Sequence, residues 1–558
     1  MVIKRRPNRS YSATHICHDD GQSRFKKRKG SREYEIIWEC YLVMMENKAI
    51  NKRFLRIPRR AERGDVETLH QSFVSVADIE SILDNPENQF ILGRRGTGKT
   101  HALHYLQNKA EGKGGITIYI DLRLLGSNGS LYADPVLPKE QRIANLAVDF
   151  LATILNVLAD IETDPSKNDL FGSMNPHLDE LAAGISKIYV TSEVEATDET
   201  SSETESGSAR SASIGSTKAA PSLNVSASDS TKSKQGKKKQ KRTKGVEKYT
   251  IHFATIGKAF KSISDSVGVR IWIFVDEWTA VPEELQPYLA DIIRRVIFPV
   301  SRITVVGASI EHRSRFQLGV GGKYIGIELG ADCAASINLD DFMVAENNMD
   351  AAVDFFGSLL YQHVKIVDYA EPFPSKIQSK EDLLKTAFKK KALVELVRAA
   401  EGVPRDAINI MALAAQEAQD APVAVTHIRA AAAKWFEQDK SHFLRQNREA
   451  EYLLGWIVDK VIGGKKARAF LVDKSIRNKL LDDLFDGRVL HVLRQSISSA
   501  EEPATRYTAY KIDYGCYIGL VSGSRAPQGL FRGDDDANKR AMWVNVPPDD
   551  YAQIRQSI

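Results

Sequence analysis

Cysteine is scarce. The chain of 558 residues holds four, Cys17, Cys40, Cys333 and Cys516, far apart and without a Cys-x-x-Cys pair. That pattern excludes a disulfide framework and a zinc ribbon, and it is the usage expected in a reducing, intracellular setting. His15-Ile16-Cys17-His18 offers metal ligands, but no second cluster in the sequence answers it. No run of eighteen or more apolar residues occurs, so no transmembrane helix is expected. The basic N-terminus has no apolar stretch behind it and does not read as a secretory signal. Charge of one sign is lacking too. A net charge of +5 is too small to name a partner class, although basic residues cluster in a few segments.

What is present is ordinary globular composition, 43% apolar and 27% charged, in a chain too long for one core. At roughly 150 residues per domain, about three or four units are expected. Residues 1–59 read as a basic, disordered extension; for residues 1–44 an over-long start, with Met44 or Met45 as the true first residue, is an equal alternative. An α/β core is expected over 60–340. Its strands are Phe90-Ile91-Leu92, Ile116 to Asp121, Arg270 to Val275 and Ile303 to Ala308, with helices over His101 to Lys109, Glu140 to Ala159, Ile251 to Ile263 and Pro287 to Val296. Within it, about 191–245 turns acidic, then Ser/Ala-rich, then Lys-rich. That stretch cannot bury enough apolar area to offset backbone ordering and is expected to be a disordered insertion. Residues 341–445 read as almost wholly helical, and 446–558 as a further small unit.

The segment Gly93-Arg94-Arg95-Gly96-Thr97-Gly98-Lys99-Thr100 follows a strand signal and opens a helix. Glycines at that spacing let backbone N–H groups curl around phosphate oxygens, and the helix adds its positive end. Lys99 then reaches the β- and γ-phosphates, and the Thr100 hydroxyl ligates Mg²⁺. The strand Ile273-Phe274-Val275 ends in Asp276-Glu277. Asp276 is expected to hold Mg²⁺, and Glu277 to orient and deprotonate the attacking water. Ser309 ends the next strand, where a hydroxyl can touch the γ-phosphate or the water. Arg313 and Arg315 follow it as candidate arginine fingers into a neighbouring subunit. Arg405, in Gly402-Val403-Pro404-Arg405, stands in the first turn of a helix, where its charge opposes the helix dipole. A nucleotide-sensing role explains that placement.

In this order the elements resemble the AAA+ ATPases. GRRGTGKT matches Walker A, IWIFVDEW Walker B, ITVVGAS sensor 1 and GVPRDAINI sensor 2. The likeness is to the origin-recognition and replication-initiator clade, including bacterial relatives of obscure role, and covers about 60–440 without the insertion. It implies a P-loop core with a parallel sheet, a helical lid, ATP and Mg²⁺ as ligands, and a C-terminal winged helix. The sequence allows that last domain. A helix over Tyr452 to Ile462, a strand over Ala467 to Val472, a helix from Ile476 to Leu484 capped by Ser475, a second helix over Arg488 to Ile497, and two strands around Gly515 are expected. Lys465, Lys466, Arg468, Arg477, Lys479, Arg488, Arg494, Arg506 and Lys511 offer phosphate contacts, diluted by Asp482, Asp483, Asp486 and Asp513.

One departure from a minimal initiator is the polar stretch from Asp121-Leu122-Arg123 to Asp134-Pro135. Two functions remain open. In the first, a DNA-associated AAA+ ATPase, cytoplasmic and held at the nucleoid, engages duplex DNA through 446–558 and self-associates through an arginine finger. In the second, a switch like the STAND ATPases of signalling and defence acts on a protein partner without binding DNA. A kinase or transferase is disfavoured, since no acceptor-site constellation is visible. No membrane role is expected.

Overall fold

Short apolar runs separated by long helices dictate a parallel sheet, because each crossover must carry a helix across a face. The computed structural model describes residues 32–61, 66–76, 79–125, 134–164, 173–188, 191–194, 245–248, 251–320, 322–333, 335–343, 348–369, 372–464, 467–476, 478–498, 505–522 and 543–545. Its core strands are β1 (Gln89–Leu92) and β2 (Ile116–Asp121), then, beyond Thr191–Val194 (β3) and Gly245–Lys248 (β4), β5 (Ile271–Asp276) and β6 (Ile303–Ser309). A hairpin, β7 (Gln317–Val320) with β8 (Lys323–Gly326), precedes the edge strand β9 (Ala335–Asn338). The parallel order is β2-β5-β6-β1-β9. β5 and β6 are buried along their whole length, which is why they read as unbroken apolar runs, while the edge strand β2 alternates.

Helices Lys139–Thr163, Asn175–Ser186, Phe253–Val267 and Gln286–Val296 cover one face through Phe150, Ile154, Leu181, Phe260, Ile263 and Ile293. By length and apolarity Lys139–Thr163 would pass for a membrane span, against the sequence expectation. Here its apolar side is core, and its buried polar residues are partnered: Arg142 pairs with Glu284, and Glu162 accepts from the Ser173 hydroxyl and the Met174 amide.

The other face carries the helix Lys99–Gly112 and the lid helices Met349–Ile366, Lys380–Ala387, Ala392–Ala400, Pro404–Ala418 and Val425–Trp435. Two expectations change here. Residues from Arg32 are not a disordered extension. Arg32–Arg56 is a helix whose Ile50, Phe54 and the following Ile57 are buried at helical spacing. Its Asn51 amide donates to the carbonyls of Gln419 and Ala421 at 2.8 and 3.0 Å, tying it to the lid. Basic residues around that apolar stripe hid it in the sequence. The insertion is also narrower than expected, for β3 and β4 pair as antiparallel strands. Residues 195–244 between them lie outside the described residues, as do 1–31 with His15-Ile16-Cys17-His18.

The C-terminal unit departs furthest from the winged-helix expectation. Its strands are β10 (Ala469–Asp473), β11 (Leu490–Ser498), β12 (Arg506–Ile512) and β13 (Trp543–Asn545), in the order β11-β12-β10-β13. Asn478, not Ser475, caps the helix, which runs Lys479–Asp486. The expected second helix over Arg488 to Ile497 is strand β11, and the expected second wing strand is the helix Tyr514–Ser522. A short apolar run carries no period of its own, so pairing with β12 decides the first case. In the second, the Asp513 carboxylate accepts from the Gly515 amide and starts a helix. Among the described residues only one helix lies between β10 and β11.

Buried ion pairs join this unit to the lid. Lys440 lies 2.9 Å from Asp406 and also pairs with Asp513, which takes a 2.9 Å bond from the His491 ring. Lys511 pairs with Glu401. Burial alone would raise the Asp513 carboxyl, but Lys440 and His491 outweigh it and hold it well below its ordinary range. Burial lowers His491 to about 4, so the ring donates while neutral.

Candidate nucleotide site

In a parallel sheet the carboxyl ends of the strands share one edge, so residues that follow different strands meet there. The loop after β1, Asp276-Glu277 after β5 and Ser309 at the end of β6 line one cleft of about 770 Å³. The lid closes it with Pro404, Arg405 and Ile408.

The loop needs its glycines. Gly93, Gly96 and Gly98 have φ of 155°, 87° and 95°. A Cβ at Gly96 would come within 3.0 Å of Arg405 and Val403, so a side chain there would push the lid off the loop. The Arg405 amide donates to the Gly96 carbonyl at 3.2 Å, seating the lid helix directly on the loop. Lys99 Nζ donates to the carbonyls of Gly93 and Arg94 at 2.9 Å each, which holds it across the mouth of the loop. Thr97 is buried and closes the turn on the Arg94 carbonyl.

Asp276 is buried at the centre. Its Oδ2 accepts from the hydroxyls of Thr100 and Tyr119, both at 2.7 Å, and its Oδ1 accepts from the Glu277 amide at 2.8 Å. The Thr100 hydroxyl and the Asp276 carboxylate are hard oxygen donors side by side, which fits Mg²⁺. Among the described residues no group of three or more His, Cys, Asp or Glu side chains could hold a metal. Glu277 has φ 55° and ψ 45°, a left-handed backbone that disfavours any residue with a Cβ. Strain of this kind concentrates at functional sites. The Glu277 carboxylate lines the cleft, 3.6 Å from Arg123.

Ser309 is buried, and its hydroxyl shares a hydrogen bond with Ser314. Arg405 is half-buried in the cleft wall, close enough to lower the Lys99 amine by its charge. The predicted residues Lys99, Thr100, Asp276, Glu277, Ser309 and Arg405 therefore converge, with Arg95, Gly96 and Gly98 of the loop.

Three arginines stand elsewhere. The Arg94 guanidinium, expected at the phosphates, turns inward instead. It pairs with Asp340 at 2.7 Å and donates to the Glu401 carbonyl at 2.7 Å; the Arg94 amide also donates to Asp340, at 2.8 Å, so Arg94 gives the loop only its carbonyl, which accepts from Lys99 and Thr97. Arg313 and Arg315 are exposed and lie outside the cleft. Arg313 pairs with Asp486 of the C-terminal unit at 3.2 Å. Arg95 remains at the cleft edge.

Sequence reasoning missed Tyr119, Arg123 and a whole wall of the cleft. That wall joins Arg56, Arg59 and Arg60 to Leu69, Leu359, His363, Ile366 and Val367, so it offers apolar side chains against which a base can pack with cationic ones beside them. A tyrosine inside a strand expected over Ile116 to Asp121 was the available signal, since a buried hydroxyl needs a partner.

Enclosure by the loop pulls the Lys99 amine down to about 8, against the upward pull of Asp340, Asp276 and Glu277. A polyphosphate beside it would favour the charged form. ATP affinity is therefore expected to be full below pH about 8 and to fall as pH rises through it, because the site must then take up a proton to bind. Fluorescent-ATP titrations on either side of that pH would show the slope, and a Lys99→Arg variant, charged throughout, would lose it. A flat profile in the unaltered chain would remove Lys99 from the phosphate contacts.

Comparison with known proteins places this geometry. A family model described as ORC-CDC6-like matches residues 58–111, the segment that runs from the cleft wall through β1 and the loop to its helix. No curated protein matches the chain. Among solved structures, Cdc6p from Pyrobaculum aerophilum aligns at 13% identity and TM-score 0.31, over 83% of this chain and 93% of its own. A Walker-type ATPase of Pyrococcus abyssi aligns at 14% and 0.32, over 84% and 99%. The Aeropyrum pernix Orc1 protein, in complex with DNA, aligns at 12% and 0.25, over 85% and 92%. Superposition that loose carries nothing about what this chain binds. Through residues 58–111 the chain is similar to the ORC-CDC6-like proteins, and its core is a parallel α/β sheet with a phosphate-loop motif between β1 and the helix Lys99–Gly112.

Proposed function

We propose that the chain binds ATP with Mg²⁺ and hydrolyses the β–γ bond, and that nucleotide state sets the position of the joined lid and C-terminal unit, through which it engages duplex DNA. The observation that carries the reading is the convergence of Lys99, Thr100, Asp276, Glu277, Ser309 and Arg405 on one cleft. Loop amides and the N-terminus of the Lys99 helix bind phosphate oxygens, and Lys99 neutralises their charge. Thr100 and Asp276 hold the Mg²⁺, which when bound offsets further phosphate charge. Glu277 accepts a proton from the attacking water, and the Ser309 hydroxyl orients that water. Arg405, seated on the loop, moves the lid with the nucleotide. Arg313, with Arg315 beside it, completes the site of a second copy. The setting we propose is cytoplasmic.

For the DNA partner, support comes from the exposed Lys474, Lys479 and Arg506 and the half-buried Arg468. A second reading, a switch acting on a protein, is favoured by a specific observation. Lys511 is buried against Glu401, and Arg488 pairs with Asp439, so both are withdrawn from phosphate contact. Binding of labelled duplex DNA with ATP, with ADP and without nucleotide, at two salt concentrations, separates them. Binding that weakens steeply with salt and changes with nucleotide is expected. No binding in any state would leave the ATP site standing and transfer the output to a protein partner.

A further inference from the structure

The helix Lys479–Asp486 lies over the turn Glu311–Arg313 that follows β6. Asp486 Oδ2 stands 3.2 Å from Arg313, and Asp482 Oδ1 stands 3.5 Å from His312 Nε2. Phe485 lies on the same side of the helix and packs on the His312 ring, 5.0 Å between centroids. Asp486 also faces the nucleotide loop. With Arg95 it lines a small cavity of about 20 Å³ behind the loop, and Arg95 in turn lines the edge of the nucleotide cleft. Burial raises the Asp486 carboxyl, while the charges of Arg313 and Arg95 both lower it, so one carboxylate serves two cations.

The attachments of the C-terminal unit are unequal. Toward the lid, the side chains of Lys440, Lys511, Asp513, Asp406 and Glu401 are each at most 2% exposed. Toward the turn, Arg313 and Asp486 are 43% and 31% exposed, and His312 and Asp482 are 20% and 43% exposed. Partly exposed pairs contribute little and are screened by salt, whereas buried pairs are costly to break. The unit therefore follows the lid, and the seam over Glu311–Arg313 is the one that parts.

We propose that the Lys479–Asp486 helix is a reversible seal on this turn: Asp486 holds Arg313 within its own chain, and the lid, closing through Arg405 on the terminal phosphate of ATP, carries the C-terminal unit with it, parts this seam and frees the turn to dock against the cleft of a second copy of this chain. ADP lacks that phosphate and leaves the seal in place. A second copy fits the turn by charge, since its cleft presents the polyphosphate that an exposed arginine complements. The seal rests on the nucleotide-switch reading above and adds the device that gates self-association.

The test compares the full chain with an Asp482→Asn/Asp486→Asn variant by sedimentation velocity, with ATP and Mg²⁺, with ADP and Mg²⁺, and without nucleotide. Fluorescent-ATP binding is measured alongside. The variant is expected to associate in ATP at roughly tenfold lower concentration than the unaltered chain, the size set by two partly exposed pairs. Adding Arg313→Ala is expected to abolish that association. In the unaltered chain, hydrogen exchange of residues 479–486 is expected to be faster with ATP than with ADP, a readout independent of any substitution. Equal self-association of chain and variant, or equal exchange in ATP and ADP, with nucleotide binding intact, would overturn the seal alone. Absence of nucleotide binding in both would overturn the switch reading and the seal with it.

Discussion

Replacing Glu277 with glutamine is expected to leave ATP binding within a few-fold of the unaltered chain and to slow hydrolysis by at least about a hundredfold, the usual contribution of a general base. The geometry separates the two effects. Asp276, not Glu277, holds the Thr100 and Tyr119 hydroxyls, and it also fixes the Glu277 backbone by accepting from its amide. Glutamine keeps the length, the left-handed backbone and a polar head toward Arg123. Only the capacity to take a proton is lost. Fluorescent-ATP titration and phosphate release on the same preparation check the pair of outcomes. Loss of binding together with hydrolysis would make Glu277 a structural residue, and hydrolysis within tenfold would place the base elsewhere.

Replacing Lys440 with methionine is expected to destabilise the chain by roughly 3–5 kcal/mol, because it leaves two buried carboxylates without their shared cation. Lys440 is 2% exposed, as is Asp513, and Asp406 is 1% exposed. Burial would lower the Lys440 amine, but Asp406 and Asp513 outweigh it and hold it above its ordinary value. The ammonium is thus charged at every pH of interest. Denaturant unfolding measures the loss. Adding Asp406→Asn and Asp513→Asn to Lys440→Met should recover part of the stability, since a neutral set no longer carries uncompensated charge. A loss under about 1 kcal/mol, the value of an exposed pair, would mean that water reaches this junction. Asp406 follows Arg405 directly, so the same variant is also expected to loosen the coupling of nucleotide to the C-terminal unit.

How legible the site was depends on how far apart its parts lie in the chain. The loop 93–100 performs its chemistry within eight consecutive residues, and its spacing alone is nearly sufficient. Asp276 and Glu277 were legible because a fully buried strand leads into them. Arg94 was misread because its motif position says where the backbone goes, and Asp340, 246 residues away, decides where the guanidinium goes. Tyr119 and the wall at Leu359 and Ile366 were missed for the same reason. The C-terminal unit was the least legible. Residues 490–498 satisfy helix and strand patterns alike, and only pairing with β12 selects one.

By itself the sequence determined the α/β class, four of the five core strands, the phosphate loop and the acidic pair, because local spacing and strand burial are properties of short segments. Only the tertiary structure decided that the Arg32–Arg56 helix belongs to the lid, that Lys511 and Arg488 are consumed internally, and that Arg313 is held by Asp486. Each of those joins residues far apart in the chain. Pairing energy at such separations depends on burial and distance, which no local pattern encodes.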